Sequence, residues 1–510
     1  MEALLSHRRT ISASRTRRRV WRWYGNAAFL SLLILPISST FYDLPYLQAL
    51  LAIILMFICL YPTARYFARG ESGVPVIAVL CLAYAVQFAL PVFTAKPEIY
   101  LSGIDIVKDL EDRFVISALL LSILGVLALQ FSHYTFQSGR AVRRLPTVDL
   151  HLNERKAVVY CIIVGALLPA ILETRNLLSQ EQSVQYSALF VLLQNQQLVV
   201  ISILGWIVYS GRGAAWHKIL LYGIVAVAIW RGLSSTYLEQ AVAPIGILFL
   251  TRWLYGRRVS VLSIVAIALV VLFLSPVKAS FRRVAWSSTG GEVSASGWSL
   301  DKPALWIEQA TQYWSDTLSG ERDIAEATSS ATTRTDLIHQ FAHIYSFTPE
   351  IIPYQYGGTY SYFAVAVIPR ALWPDKPQAG GANNYFAVTY GIATEEAVKI
   401  STFGVSLIGE GYINFGTPGV IFIMALQGAT LMLLQQVFGG PKSGAGAQAV
   451  FLAFFIFFLN GVGSSAEILY GNILQNLLVN CTLLLWVREK PSARRLAGAR
   501  LPQSNAAHVG

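Results

Sequence analysis

Glu410 is an acid in hydrophobic surroundings, within the apolar, glycine-rich run STFGVSLIGEGYINFGTPGVIFIMALQG. An ionised carboxylate there is costly unless a cation or several hydrogen bonds meet it. Two roles fit: a general base, or a Glu–Arg pair that pins a loop. Arg370 poses the complementary question. It lies in the apolar dodecamer SYFAVAVIPRAL, which Trp373, Pro374, Lys376 and Pro377 follow at once. A twelve-residue helix is about 18 Å long, against about 30 Å for the hydrocarbon core of a bilayer. The dodecamer therefore predicts an interfacial or re-entrant helix, with Arg370 at headgroup depth. A guanidinium there either binds phosphate through its planar fork or snorkels to anchor the chain among headgroups.

Other candidates lie near these two. Arg282 and Arg283 follow an apolar segment, and Arg334 opens RTDLIHQFAHIYSFTPEIIPYQYGGTY. In that stretch Asp336, His339 and His343 share one helical face by their spacing. Packing or hydrogen bonding accounts for them better than a metal, because a further ligand is missing; a general-base role lies between the two. Tyr356, Tyr360, Trp373 and Tyr412 can stack on sugar faces or sit in an interfacial aromatic belt. Pro369, Pro374 and Pro377 set a turn that Gly380 and Gly381 loosen. Lys376 either binds phosphate or caps that turn.

The elements that must hold these residues are membrane helices. Of 510 residues, 55% are hydrophobic and 13% charged, whereas soluble domains carry about a quarter charged residues. The expected fold is an all-α polytopic membrane protein with about twelve spans, near 24–41, 44–61, 74–93, 114–131, 157–172, 187–209, 217–231, 238–251, 259–276, 406–437, 447–460 and 467–487. The tenth is long enough to predict a broken or tilted helix. A basic tail (1–23) precedes spans one to nine (24–276), a large loop covers 277–402, the last three spans fill 403–487, and a tail covers 488–510. With the N-terminus in the cytosol, the cytosolic loops and tails carry 25 of the 39 Lys+Arg and 5 of the 28 Asp+Glu. That bias places both ends inside and the large, partly helical loop outside. The net charge of +11 is thus a topology signal and predicts no nucleic-acid partner. Cys59, Cys81, Cys161 and Cys481 lie in apolar runs, with no spacing for disulfides or zinc.

Between 334 and 420 the R-x-D, Thr-Pro, Gly-Gly-x-Tyr, Pro-Arg-x-x-Trp-Pro-x-Lys-Pro and Gly-Glu-x-Tyr-x-Asn-Phe-Gly elements occur in an order that resembles the Wzy-type O-antigen and oligosaccharide repeat unit polymerases. Arg370 and Gly381 also match an R-x10-G pattern of some such enzymes. The resemblance implies a GT-C-like membrane glycosyltransferase in the bacterial inner membrane, working on its periplasmic face without metal or cofactor. It would join undecaprenyl-pyrophosphate-linked oligosaccharide repeats into O-antigen, capsule or exopolysaccharide, with a flippase and a chain-length regulator as partners. Fixed arginines suit the charge that develops on a pyrophosphate leaving group. Arg370, with Arg334 or Arg282 and Arg283, is the expected clamp, helped by Lys376. Glu410 is the first choice of base, then His343 or Asp336.

Three other readings compete. A flippase for lipid-linked sugars has a similar span count, but this chain shows no two-halves repeat. An O-antigen ligase shares the arginines and the large outer loop. A purely structural scaffold leaves the grouping of arginines and Glu410 unexplained.

Overall fold

The computed structural model describes residues 16–31, 44–94, 110–174, 182, 186–281, 301–322, 335–368, 373, 380–400, 403–440 and 443–489, apart from 72, 235–237, 257–258 and 279. Among them the protein is helical, without strands, and the one bridge, Leu152 to Arg488, is isolated. Eight helices are long and apolar enough to cross a membrane: α1 (Tyr46–Arg69), α2 (Val76–Thr94), α3 (Asp112–Ser138), α4 (Glu154–Glu173), α5 (Ser187–Tyr209) and, late in the chain, three more introduced below. The seventh to ninth expected spans appear as α6 (Ala215–Ser234), α7 (Leu238–Leu254) and α8 (Val261–Leu274). They are shorter or less apolar than those eight: α7 and α8 have 17 and 14 residues, and α6 carries His217, Lys218 and Arg231. The first expected span is described only to residue 31, as a helix over 16–31.

The expected loop supplies α9 (Asp301–Leu318), α10 (Leu337–Phe347), α11 (Tyr362–Val367) and α12 (Gly381–Thr389). The amphipathic α9 lies across the ends of α6 and α8. Its Trp306 and Trp314 indole N–H groups donate to the carbonyls of Leu233 and Phe273, both at 3.0 Å. Among the described residues of the arginine-bearing dodecamer, Tyr362–Val367 are helical. Pro369 explains the stop, since a residue before proline is pushed out of the helical region, and Ile368 is extended (φ −78°, ψ 121°).

The remaining spans are α13 (Leu407–Phe438), α14 (Ala445–Asn460, continuing as a 3-10 turn to Gly463) and α15 (Ala466–Val487). Helices α3 and α13 pack against each other over several turns. Gly428 of α13 sits directly against the Leu129 carbonyl and the His133 amide of α3, a contact that only a residue without a side chain allows. The two ends of the bundle differ. At the basic end the 148–153 segment is hydrogen-bonded to the ends of α13 and α15, as in Val148 N–H to Val437 O (2.8 Å) and Asn153 N–H to Val487 O (3.0 Å). At the other end, the loop end, α3 and α1 join through Gln48 Nε2–H to Asp112 Oδ1 (2.8 Å).

The expected break in the long span is present. Phe415 (φ −141°, ψ 16°) and Gly416 (φ 63°, ψ −143°) are non-helical and divide α13 into 407–414 and 417–438. Gly416 takes the left-handed region that glycine tolerates without cost. Eight residues of unbroken helix span about 12 Å, yet a Cβ on Gly411 would stand 2.8 Å from the Gly419 carbonyl oxygen. The short half therefore folds back on the long one. Its Ile408 reaches the level of Val420 and Met424, beside Gly125 midway along α3.

Gly428→Ala should separate α3 from α13 and cost about 1–3 kcal/mol, the usual range for overpacking. Gly223→Ala, at a site with nothing within 4 Å of a new Cβ, should leave stability unchanged or raise it slightly. Thermal melts of the two variants in one detergent test the contrast.

Candidate functional site

Glu410 lies in the first turn of the short half of α13 and is fully buried. Its Oε1 accepts a hydrogen bond from Thr359 Oγ1 (2.9 Å), and its Oε2 accepts one from the backbone N–H of Ala466 (2.6 Å). Ala466 is the first residue of α15, whose N-cap, Ser465, makes no side-chain cap bond. The Glu410 carboxylate thus takes the capping role at that helix N-terminus, where the helix dipole favours an anion.

Asn414, one turn on, completes the unit. Its Nδ2 donates to Thr359 Oγ1 (2.7 Å) and to the Glu410 carbonyl (2.8 Å), while its Oδ1 accepts from Gly357 N–H (3.0 Å). Backbone bonds from Gln355 N–H to Ile413 O (2.9 Å) and from Tyr356 N–H to Asn414 O (3.0 Å) bind the two segments further. The Gly-Gly-x-Tyr and Gly-Glu-x-Tyr-x-Asn-Phe-Gly elements, about fifty residues apart in the chain, are therefore one hydrogen-bonded unit.

A second buried carboxylate adjoins it. Glu467, in the first turn of α15, is 1% exposed, and its charge acts on Glu410. Its Oε1 accepts from Gly380 N–H (2.9 Å). Gly380 is the left-handed N-cap of α12 (φ 89°), and Gly381 is pressed against the Tyr362 ring. The glycine pair expected to loosen the turn thus forms a fixed corner, because one glycine meets a carboxylate and the other meets an aromatic face.

Aromatic rings surround the unit. Tyr412 is 5% exposed and enclosed by Phe341, Tyr345 and Tyr354, with ring centroids 5.7, 5.2 and 6.1 Å away. The half-buried Tyr360 lies against Phe415 at 6.4 Å. Burial and then the Glu410 charge push its hydroxyl far above the ordinary tyrosine value, so it stays protonated. Tyr356 is 76% exposed with a left-handed backbone (φ 48°), Phe415 is 41% exposed within the helix break, and Trp373 is 40% exposed.

The other candidates are engaged elsewhere. Asp336 is the N-cap of α10: its Oδ1 accepts from His339 N–H (3.1 Å) and its Oδ2 pairs with His339 Nδ1 (2.5 Å). His343 is buried, and its Nε2–H donates to the Tyr390 carbonyl (2.9 Å). Among the described residues no three His, Cys, Asp or Glu side chains gather closely enough to share a metal ion. Arg282, Arg283, Arg334, Arg370 and Lys376 lie outside the described residues, as do Pro369, Pro374 and Pro377. Glu410 makes no ion pair with an arginine among the described residues.

Sequence reasoning missed Thr359, Asn414, Glu467 and Phe415. Asn414 and Phe415 stand inside the Gly-Glu element, and Thr359 inside the Gly-Gly element. Glu467 looks like an ordinary first-turn acid of the last helix.

Residues 212–491, more than half of the 510, match a family described as a domain of unknown function, DUF8712. The matched segment contains the whole hydrogen-bonded unit. No curated protein and no solved structure matches the chain.

Thr359→Val removes the donor to Glu410 and the acceptor for Asn414 while keeping the side-chain shape. It should destabilise by about 1–3 kcal/mol, the cost of leaving buried polar groups unpaired. Thr359→Ser should restore most of the loss. Ser361→Ala, at an exposed hydroxyl bonded only to Gly358 O, should have little effect in the same melt.

Proposed function

We propose that this chain, which belongs to the DUF8712 family, is a membrane polymerase of polyprenyl-pyrophosphate-linked oligosaccharide repeats. The supporting observation is that two of the sequence elements carrying the polymerase resemblance, Gly-Gly-x-Tyr and Gly-Glu-x-Tyr-x-Asn-Phe-Gly, fold into one buried unit through Thr359, Glu410 and Asn414. On this reading the chain is a GT-C-like glycosyltransferase with twelve spans. Both its ends lie in the cytosol and its large loop on the periplasmic face of a bacterial inner membrane.

The reaction is a displacement without metal. The acceptor hydroxyl oxygen attacks the anomeric carbon of the donor sugar, the bond from that carbon to the pyrophosphate oxygen breaks, and the hydroxyl proton goes to a base. Arg370, with Arg334, Arg282, Arg283 and Lys376, is assigned to the leaving pyrophosphate, because fixed cations lower the cost of the charge that develops there. Glu410 is the first choice of base, ahead of His343 and Asp336. A carboxylate has about four lone-pair positions, and Thr359 and Ala466 occupy two of them. Tyr356, Tyr360, Trp373 and Tyr412 are the aromatic candidates for sugar contacts, and exposure favours Tyr356 and Trp373.

The broken α13 and the two buried carboxylates also favour a second reading, transport of the same lipid-linked sugars. Discontinuous helices and acids at membrane depth are common parts of transporters.

Purified protein supplied with the lipid-pyrophosphate repeat unit of its own host should produce a ladder of polymers on a gel. Arg370→Ala should lower the rate about hundredfold or more, the scale of losing one fixed transition-state contact. A ladder unaffected by Arg370→Ala would leave the arginine as an anchor. No ladder from folded protein, together with substrate movement across proteoliposomes, would replace the polymerase with the transporter.

A further inference from the structure

At the basic end of the bundle, far from the Glu410 unit, a guanidinium lacks an anion. Arg65 lies nineteen residues into α1 from Tyr46, about 29 Å of helix from the loop end. That is close to the thickness of the hydrocarbon core, about 30 Å, so the side chain reaches the opposite headgroup layer. Its Cζ stands 3.6 Å from the centroid of the Tyr134 ring of α3. Stacking of this kind fixes the plane of the guanidinium and leaves its N–H groups directed outward from the edge.

Those N–H groups have no protein acceptor among the described residues. Arg65 takes part in no ion pair or hydrogen bond there, and its Nε is buried without a partner. The acids nearest in sequence are otherwise occupied: Glu71 pairs with Arg69 (3.8 Å) and Asp149 with His151. Beside Tyr134 stands His133, 2% exposed, with a ring centroid 5.5 Å from that of Tyr134. Its ring already has a hydrogen-bond partner, the Gly428 backbone of α13. The unpartnered donor is thus the half-buried Arg65 guanidinium, whose buried Nε is left without an acceptor, an unfavourable arrangement unless an anion meets it.

We infer that Arg65, with Tyr134 as the stacking platform, forms a seat for a phosphoryl group at the basic end of the bundle. The chemistry on offer is that of a phosphate monoester or diester: oxygens for the Arg65 fork. An anionic lipid headgroup or a free phosphate can supply it. The seat is separate from the Glu410 unit and does not depend on the polymerase reading.

The test is ligand-induced thermal stabilisation of the full-length protein in a neutral detergent. One arm adds sodium phosphate against sodium chloride at equal ionic strength, and the other adds short-chain phosphatidylglycerol. Wild type should be stabilised in at least one arm, since a ligand bound only to the folded state raises its stability. A shift in both arms means that phosphate suffices, and a shift with lipid alone identifies the headgroup in its membrane setting. Arg65→Gln should bind about tenfold to hundredfold more weakly, as for loss of a charged hydrogen bond. Arg69→Gln, an exposed neighbour, should respond like wild type. If Arg65→Gln does not fold, Tyr134→Leu, which removes the ring that orients the guanidinium, replaces it, with weakening in the same direction expected. No stabilisation of wild type in either arm, or an undiminished shift in the folded variant, would overturn the seat.

Discussion

A polar group that leaves water inside a membrane must find its partner within the protein, and at Glu410 this constraint organises the loop end of the bundle. The carboxylate meets a hydroxyl from one segment and the first N–H of α15 from another. Neither partner is close in sequence. Asn414 then fills the remaining valences of Thr359 and of the Gly357 amide. The bonds are directional, so the Gly-Gly corner, the short half of α13 and the start of α15 can meet in only one arrangement. Apolar packing around Tyr412 adds area but little direction.

The break in α13 follows from the same requirement. A continuous helix through Phe415 and Gly416 would carry Glu410 past the end of the bundle, away from the N-terminus of α15. Folding 407–414 back over Gly419 returns it there. The break frees backbone groups that a helix would satisfy internally, and the chain answers with local partners: Gln355 and Tyr356 donate to the carbonyls of Ile413 and Asn414. Non-helical backbone at such a depth is tolerated where protein covers it. Tyr354 supplies part of that cover, with its ring against Gly416.

What the sequence revealed and what it hid divide along physical lines. Long apolar runs identify helices because burial in lipid depends on composition alone, and eight such helices are present among the described residues. The length of the tenth segment signalled the break. Glu410 drew attention because an acid in an apolar run is expensive wherever it sits. Glu467 did not, because an acid in the first turn of a helix already has a local explanation in the helix dipole. Only the fold shows that it holds Gly380 eighty-seven residues away. The extended turn at Ile368 was hidden for a related reason: hydrophobicity marks burial, while the proline that follows sets the backbone of the residue before it.

The two buried acids also constrain what can act beside them. A pyrophosphate brought near Glu410 and Glu467 would meet like charge in a medium that screens it poorly. On the polymerase reading, cations must therefore stand between the carboxylates and the leaving group. Two described points bracket the segment from which Arg370 would come. Ile368 closes α11, and Gly380 is fastened to Glu467 itself. The acid that would repel a phosphate thus also fixes one end of the arginine-bearing segment. Neutralising Glu467 would weaken the repulsion and the anchorage together, which gives the chain a physical reason to keep a carboxylate at that position.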